Sequence, residues 1–216
     1  MITNRPVLLS DQIFDQLEGD ILRGVYKRGD IITETQISEK LGVSRTPVRE
    51  AMRRLEQEHM IEDSSKGMLV VGISDRDAEC IYEIRERIEG LAAREAALNA
   101  SGEQLNQMKE TLDMQEYYIS KGDIEKIREM DSRFHELMYK ASASSVLCDT
   151  LMSLHRKVQK YRMNSVSHSD RATKSINEHR KIYEALEKRD PDAAEKATTE
   201  HVVKAKNSIL IVEDKK

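Results

Sequence analysis

Ser44-Arg45-Thr46-Pro47-Val48-Arg49-Glu50 decides the reading of this chain. It follows a short helical pattern, Thr33 to Leu41, across the sharp break Gly42-Val43. Arg45 and Arg49 sit four residues apart, with the hydroxyls of Ser44 and Thr46 flanking the first. A short helix, a tight turn and a second helix that opens with hydroxyls and arginines is what a helix-turn-helix reader needs. Such a helix points its N-terminal side chains at base edges and phosphates in the major groove. Pro47 falls in the first turn of the second helix, where its missing N–H costs nothing.

On the N-terminal side, an amphipathic helix is expected from Ser10 as N-cap to about Arg23, with Ile13, Phe14, Leu17 and Ile21 on one face. Residues 1–9 read as a loose arm, and Tyr26 to Asp30 as a turn. The recognition helix runs from about Arg45 to Glu58, with Val48, Met52 and Leu55 inward. The period then changes. Ile61-Glu62-Asp63 and Met68-Leu69-Val70-Val71 are short β-like runs around Ser64-Ser65-Lys66-Gly67. A hairpin directly after a recognition helix is a wing, so residues 1–72 are expected to form a winged helix-turn-helix domain.

From Asp75 onward the pattern is helical. Six helices are expected, at about 75–99, 103–120, 123–141, 145–165, 170–188 and 191–212, with Asp190-Pro191 a clear helix start. Short loops between them imply an antiparallel bundle over 73–216. Composition agrees: 2 Phe and no Trp against 10 Met favour helix-on-helix packing, and 3 Pro and 9 Gly let long helices run.

The net charge is −4, and residues 1–72 hold 10 Lys+Arg against 12 Asp+Glu. That excludes a nonspecific nucleic-acid binder, which is basic overall. The basic charge is local: Arg45, Arg49, Arg53 and Arg54 stand against Glu50 alone between 44 and 54. A sequence-specific reader needs only such a face. Cys80 and Cys148 have no metal or disulfide spacing and read as free thiols of the cytoplasm. No signal peptide is recognised, and no apolar run approaches the roughly 18 residues that span a bilayer.

The bundle carries polar residues in its apolar stripes. At 100° per residue Ile124, Ile127, Asp131, His135 and Met138 fall within about 80° of each other, so Asp131 and His135 face inward one turn apart. His179 lies between Ile176 and Tyr183, and His201 between Ala197 and Ala205, both on core faces. A lone inward histidine is usually a satisfied core residue. Four such residues on three helices admit a second reading, since a buried carboxylate is costly unless neutralised. One carboxylate and three imidazoles suit Zn²⁺, or Ni²⁺ or Mn²⁺. The alternative is a buried Asp–His pair and two unrelated histidines. Arg85 borders the stripe Ile81, Ile84, Ile88 and Ala92. It either pairs bidentately with an acidic ligand or bridges to Glu89 on a solvated flank. His155 and Arg162 border the stripe Leu151, Leu154, Val158 and Tyr161 and are weaker candidates. Glu178 is offset from His179 by about 100° and is expected to point away. His59 and His168 read as surface residues.

The stretch Leu41 to Ala51 with Arg54-Leu55 is similar to the signature of the GntR family of transcriptional regulators. Glu83-Ile84-Arg85, Ile88-Glu89, Asp131-Ser132-Arg133-Phe134-His135, Glu178-His179-Arg180 and His201 resemble its FCD branch, whose ligand domain is like that of the fatty-acid-responsive regulator. The resemblance covers almost the whole chain. It implies a homodimer, built mainly through the N-terminal domains and their packing, on a palindromic operator. Arg45 and Arg49 would contact guanine edges or phosphate, and Ser44 and Thr46 the backbone. Gly67 would let the wing's main chain into the minor groove with Lys66 beside it. Thr35 stands where the family commonly has Arg. Asp131, His135, His179 and His201 agree in order and rough spacing with the family's metal site. Two loops depart from the family: Glu58-His59-Met60 replaces a Gly-containing turn, and Ala141 to Ser145 replaces an Ala-Gly-Asn-Pro-like one.

The expectation is a cytoplasmic, ligand-responsive regulator, a repressor by preference. A small organic acid would bind at the metal, with Arg85, and change the placement of two DNA-binding domains. A metal-dependent hydrolase is the enzymatic alternative, since Asp/His clusters activate water, but it lacks a further general base and leaves the winged helix unexplained. A DNA-binding protein whose bundle only dimerises is the third reading.

Overall fold

The computed structural model describes residues 8–158 and 169–213. Two compact units divide between Asp75 and Arg76. In the first unit the order is α1 (Leu9–Leu22), β1 (Ile31–Ile32), α2 (Glu34–Leu41), α3 (Arg45–Gln57), β2 (Ile61–Ser64) and β3 (Gly67–Val70). In the second, α4 spans Asp75–Asn99, α5 Gly102–Lys121, α6 Ile124–Ala141, α7 Ser145–Lys157, α8 Ser169–Glu187 and α9 Pro191–Glu213. The architecture is mainly α, with a small sheet in the first unit and six helices among the described residues of the second.

Local chemistry explains most boundaries. Thr33 starts α2 with a capping box: its hydroxyl accepts from the Gln36 N–H at 3.2 Å, while its own N–H donates to Gln36 Oε1 at 3.1 Å. Gly42 ends α2 at φ 66°, the left-handed conformation that makes the turn before α3. Ser101 and Gln104 repeat the box on α5. Asp190 Oδ1 accepts from the Ala193 N–H at 3.0 Å and starts α9. The two departing loops also have a physical account. His59 and Ala143 each take φ 56°, a left-handed turn without glycine.

Two expectations about elements need correction, and the expected wing hairpin forms with an added strand. The N-cap of α1 is Leu8, with no side-chain hydrogen bond, and Ser10 is buried in the first turn. The wing is part of a three-stranded sheet, order β1-β3-β2. Ile31 and Ile32 pair antiparallel with Leu69 and Met68, while Ile61 to Ser64 pair with Val70 to Gly67. A two-residue strand carries no period, so it could not be read from sequence. Ile84 and Ile124 belong outside rather than on the core faces, at 45% and 41% exposure. The expected 145–165 helix is described to Lys157; Tyr161, Arg162 and His168 lie outside the described residues.

The core of the first unit is Ile13, Phe14, Leu17 and Ile21 of α1 against Val48, Ala51, Met52 and Leu55 of α3, closed by Ile37, Ile61 and Val70. In the second, small alanines of α4 (Ala92, Ala93, Ala96, Ala97) pack with Met108, Leu112, Phe134, Met138, Leu151 and Leu186. Close approach is built in at Gly90. A Cβ there would stand 2.6 Å from Thr199 Oγ1 and 3.0 Å from the Glu195 carbonyl, which fixes how near α4 comes to α9.

Candidate functional site

The first candidate surface is the outer side of α3. Burial of Val48, Ala51, Met52 and Leu55 turns Ser44, Arg45, Thr46 and Arg49 outward, and all four are exposed. Ser44 begins the helix in an extended conformation without a side-chain cap bond, so its hydroxyl is not spent on its own helix. Arg49 is engaged. Its Nε and Nη2 donate to the two carboxylate oxygens of Glu34 on α2, both at 2.8 Å. That hydrogen bond, with the Arg49 and Arg45 charges, lowers the Glu34 pKa against the opposing effect of burial. Arg54 is engaged too, paired with Asp11 at 2.5 Å and lying over the Phe14 ring. Of the four arginines, Arg45 and Arg53 make no hydrogen bond or ion pair among the described residues. Thr35 sits in the first turn of α2, half-buried.

The wing brings Lys66 to the surface in the two-residue turn between β2 and β3. Gly67 has a structural duty of its own. Its φ is 133°, and an added Cβ would lie 2.9 Å from the Ile32 carbonyl oxygen. Glycine is therefore required by the approach of β1, whatever the wing does to DNA.

The second candidate site is inside the helical unit. α6 contributes His135, α8 His179 and α9 His201, all buried, with one ligand atom from each lying within 4.8 Å of the others. The ring centroids are 4.9 Å (His135–His179), 5.2 Å (His135–His201) and 4.6 Å (His179–His201) apart. Asp131, one turn before His135, places Oδ1 3.7 Å from His179 Nε2 and accepts from Ser175 Oγ at 3.5 Å. Sequence periodicity thus brings the three expected histidines together, with the expected aspartate beside them.

Each imidazole meets a neighbour through Nδ1. His135 Nδ1 is 3.0 Å from Glu89 Oε1. His179 Nδ1 is 3.4 Å from Gln115 Oε1. His201 Nδ1 is 2.8 Å from Glu178 Oε2, which is also bridged by Arg171 at 3.1 Å. With Nδ1 so placed, Nε2 is the nitrogen each ring has to offer. Orientation of metal-binding imidazoles through the other ring nitrogen is the usual supporting arrangement.

Two sequence expectations reverse here. Glu178 does not point away: it is the carboxylate on His201. The Arg85–Glu89 pair forms, but not on a solvated flank. Arg85 is 1% and Glu89 0% exposed, with Nε and Nη2 of Arg85 donating to Glu89 at 2.8 and 3.2 Å. Burial would raise the Glu89 pKa, but the Arg85 and His135 charges and hydrogen bonds hold it well below the carboxylate range. Arg85 Nη1 is buried and has no hydrogen-bond partner among the described residues.

His155 joins the cluster from α7, its ring 4.9 Å from His135 and its Nδ1 3.4 Å from the Tyr139 hydroxyl. Burial, then the charges of His135 and Arg85, push its pKa well below the ordinary value. Burial also takes His201 down to about 4, against the upward pull of Glu178. At neutral pH both rings are therefore neutral. Gln115, which sequence reading missed, sits one turn past Thr111 and Leu112 on the buried face of α5; a fully buried amide in an apolar stripe was the available signal.

Residues 9–70 match the profile described as bacterial regulatory proteins, gntR family, and residues 80–204 match the FCD domain. The chain is 33% identical over 193 residues to an uncharacterized HTH-type transcriptional regulator, YdhC, of Bacillus subtilis, covering 88% of this chain and 86% of that one. It is 30% identical over 202 residues to the HTH-type transcriptional repressor RspR of Escherichia coli, covering 93% and 89%. Among solved structures, Escherichia coli McbR/YncC superposes with a TM-score of 0.82 at 22% identity, over 98% of this chain and 100% of that one, a likeness of fold.

Proposed function

The chain belongs to the gntR family of bacterial regulatory proteins, with an FCD domain behind its winged helix, and is a DNA-binding transcriptional regulator rather than an enzyme; we propose that it is a repressor whose operator binding is modulated by a small carboxylate held at a metal centre in the helical unit. In this reading residues 1–72 bind DNA and 73–216 bind metal and ligand, in a cytoplasmic homodimer on a palindromic operator. A repressor among the relatives supports the sign of regulation. Among the described residues no helix is long and apolar enough to cross a membrane.

The observation that carries the ligand half is the buried triad His135, His179 and His201, with Nδ1 of His179 beside Gln115, Nδ1 of His201 beside Glu178, and Nδ1 of His135 3.0 Å from Glu89. The donor set fits a first-row divalent ion. Zinc–imidazole bonds are about 2.0–2.1 Å, and three nitrogens within 4.8 Å of one another are near enough to close on one ion. Asp131 supplies the fourth ligand, and zinc is the preferred metal, with nickel and manganese the other choices. When bound, the ion supplies a Lewis-acid position for an anionic oxygen. The chain's own part is to keep His155 and His201 neutral, to hold His201 through Glu178 and His179 through Gln115, and to bury the group among apolar helices. Arg85 is the effector-binding residue, because Glu89 uses Nε and Nη2 and leaves Nη1 to donate to a carboxylate.

On DNA, Arg45 and Arg49 reach guanine edges or phosphate, Ser44 and Thr46 the sugar-phosphate backbone, and Lys66 and Gly67 present the wing to the minor groove, with Thr35 beside them. A ligand alters operator affinity only through unequal affinity for two arrangements of the dimer. The test is anisotropy of metal-loaded protein on duplex from the upstream region of its own gene, titrated with a panel of hydroxy acids, sugar acids and dicarboxylates. A shift in operator affinity that is abolished in His179→Ala supports the reading. Operator binding that no acid moves, in parent and variant alike, leaves a regulator without this ligand class and rejects it.

A further inference from the structure

Three buried polar atoms have no partner among the described residues, and each belongs to a side chain tied to one imidazole of the triad. On α4, Arg85 Nη1 is free while Nε and Nη2 hold Glu89, which lies 3.0 Å from His135. On α5, Gln115 is 0% exposed; its Oε1 is 3.4 Å from His179 Nδ1 and its Nε2 is free. On α9, Thr198 is 0% exposed, one turn before His201, and its Oγ1 is free. Ala194 and Val202, four residues to either side of Thr198, are fully buried as well, so that face of α9 looks into the bundle.

A buried donor without a hydrogen bond weakens a fold, and a helical threonine commonly settles its hydroxyl on a carbonyl one turn back. Three such groups on three helices, gathered at one cluster, fit a site whose remaining partners come from outside the chain. Their chemistry is uneven. Arg85 is the one lysine or arginine that is buried among the described residues. Arg171, which reaches the cluster through Glu178, is bound to it at 3.1 Å. The Gln115 amide and the Thr198 hydroxyl are neutral. A guest therefore finds one cationic donor for a carboxylate and two neutral donors for oxygens without charge. A second carboxylate would be buried against an amide and a hydroxyl, which is costly. A bare alkyl chain would leave both neutral donors unpaired.

We propose that the effector is a polyhydroxy monocarboxylate: its carboxylate accepts from Arg85 Nη1, and its hydroxyl oxygens accept from Gln115 Nε2 and Thr198 Oγ1. Gln115 and Thr198 are then the residues that set specificity. This selectivity rests on the carboxylate-binding function proposed above and narrows it to one class of acid.

The test is isothermal titration calorimetry on the zinc-saturated full chain. The probes are threonate, xylonate, gluconate and galactonate, each beside the alkanoate and the aldarate of equal carbon number. At about tenfold per hydrogen bond, two donors should make the best aldonate bind about 100-fold tighter than either analogue. Thr198→Val and Gln115→Met should each lower that aldonate's affinity about tenfold and leave the analogues' affinities where they were. A disturbed fold, or the loss of the His179 partner, would instead weaken all three acids alike. A second measurement needs neither metal nor ligand. Metal-free Thr198→Val should unfold at no lower temperature than the parent, because a methyl group replaces a hydroxyl with nothing to bond. Earlier unfolding would show that the hydroxyl is already bonded within the chain and overturn its role. An alkanoate or aldarate that binds as tightly as the best aldonate overturns the proposal and leaves the carboxylate-binding function standing. Binding by none of the acids rejects both. An aldonate affinity unmoved by either substitution leaves the two donors to water and overturns their part in specificity.

Discussion

Arg49 and His201 are each held by a carboxylate at 2.8 Å, Arg49 by Glu34 and His201 by Glu178, yet the two pairs live in different solvents. The Arg49 side chain is two-thirds exposed and Glu34 one-third. In that setting an ion pair is worth about 0–1 kcal/mol, and the arginine can leave it for a phosphate or a guanine at little cost. His201 is buried, and so are the Arg85–Glu89 pair and His135 beside it. There a lost partner leaves a desolvated polar group, and exchange is expensive. The outer face of α3 keeps its groups ready to move; the imidazole cluster keeps them fixed. The proposed function uses both, one surface that searches and one site that waits in a set geometry.

The sharpest way to break this contrast is on the buried side. Arg85→Met leaves the Glu89 carboxylate with His135 as its main partner, and removing one member of a buried pair costs about 3–5 kcal/mol. Thermal or urea unfolding of the metal-free protein should show that loss, and a change under about 1 kcal/mol would mean the pair is not buried as described. Acid acts on the same region. His201 is neutral in the folded chain down to about 4, whereas an unfolded histidine protonates near 6.5. The unfolded state therefore binds more protons in between, so the metal-free protein should lose stability as pH falls from about 6.5 towards 4. A flat profile across that window would place His201 in water.

On the exposed side, Arg49→Ala should weaken operator binding by about 1–3 kcal/mol per half-site if the side chain reads a guanine. Comparison with a scrambled duplex separates reading from positioning, since loss of a phosphate contact weakens both alike. Glu178→Gln keeps the shape of the His201 partner and removes its charge, which should lower metal affinity about 10–100-fold. Competition with a chelator reads this directly, and an unchanged affinity would separate Glu178 from the centre. The smallest effect belongs to Glu34→Gln. Freeing Arg49 should tighten duplex binding by no more than about 1 kcal/mol. Looser binding would show instead that Glu34 positions Arg49 on the operator.

Much of this was readable from the residues, for reasons that differ by region. The turn at Gly42 and the inward spacing Val48, Met52, Leu55 are local, so the helix-turn-helix and its outward arginines followed from period alone. His135, His179 and His201 were placed inward by the same arithmetic, one helix at a time. The contacts between helices were not local. The sequence leaves Arg85 open between an acidic ligand and a bridge to Glu89 on a solvated flank, and its spacing with Ile81 and Ile88 puts Ile84 on the core face. In the structure the ion pair is inside, next to His135, and Ile84 is outside at 45% exposure. Glu178 was judged by its 100° offset from His179, but its partner is on α9, a helix the periodicity of α8 says nothing about. The strand Ile31–Ile32 exists only because β3 pairs with it.

The central claim is that His135, His179 and His201 form a metal centre, and metal content tests it most directly. The protein is loaded with zinc, desalted, and analysed by elemental mass spectrometry beside His179→Ala. The account predicts about one zinc per parent chain, and little or none in the variant with its helical fold intact by circular dichroism. A parent that retains no zinc, nickel or manganese after loading, or a variant that retains as much as the parent, would contradict it.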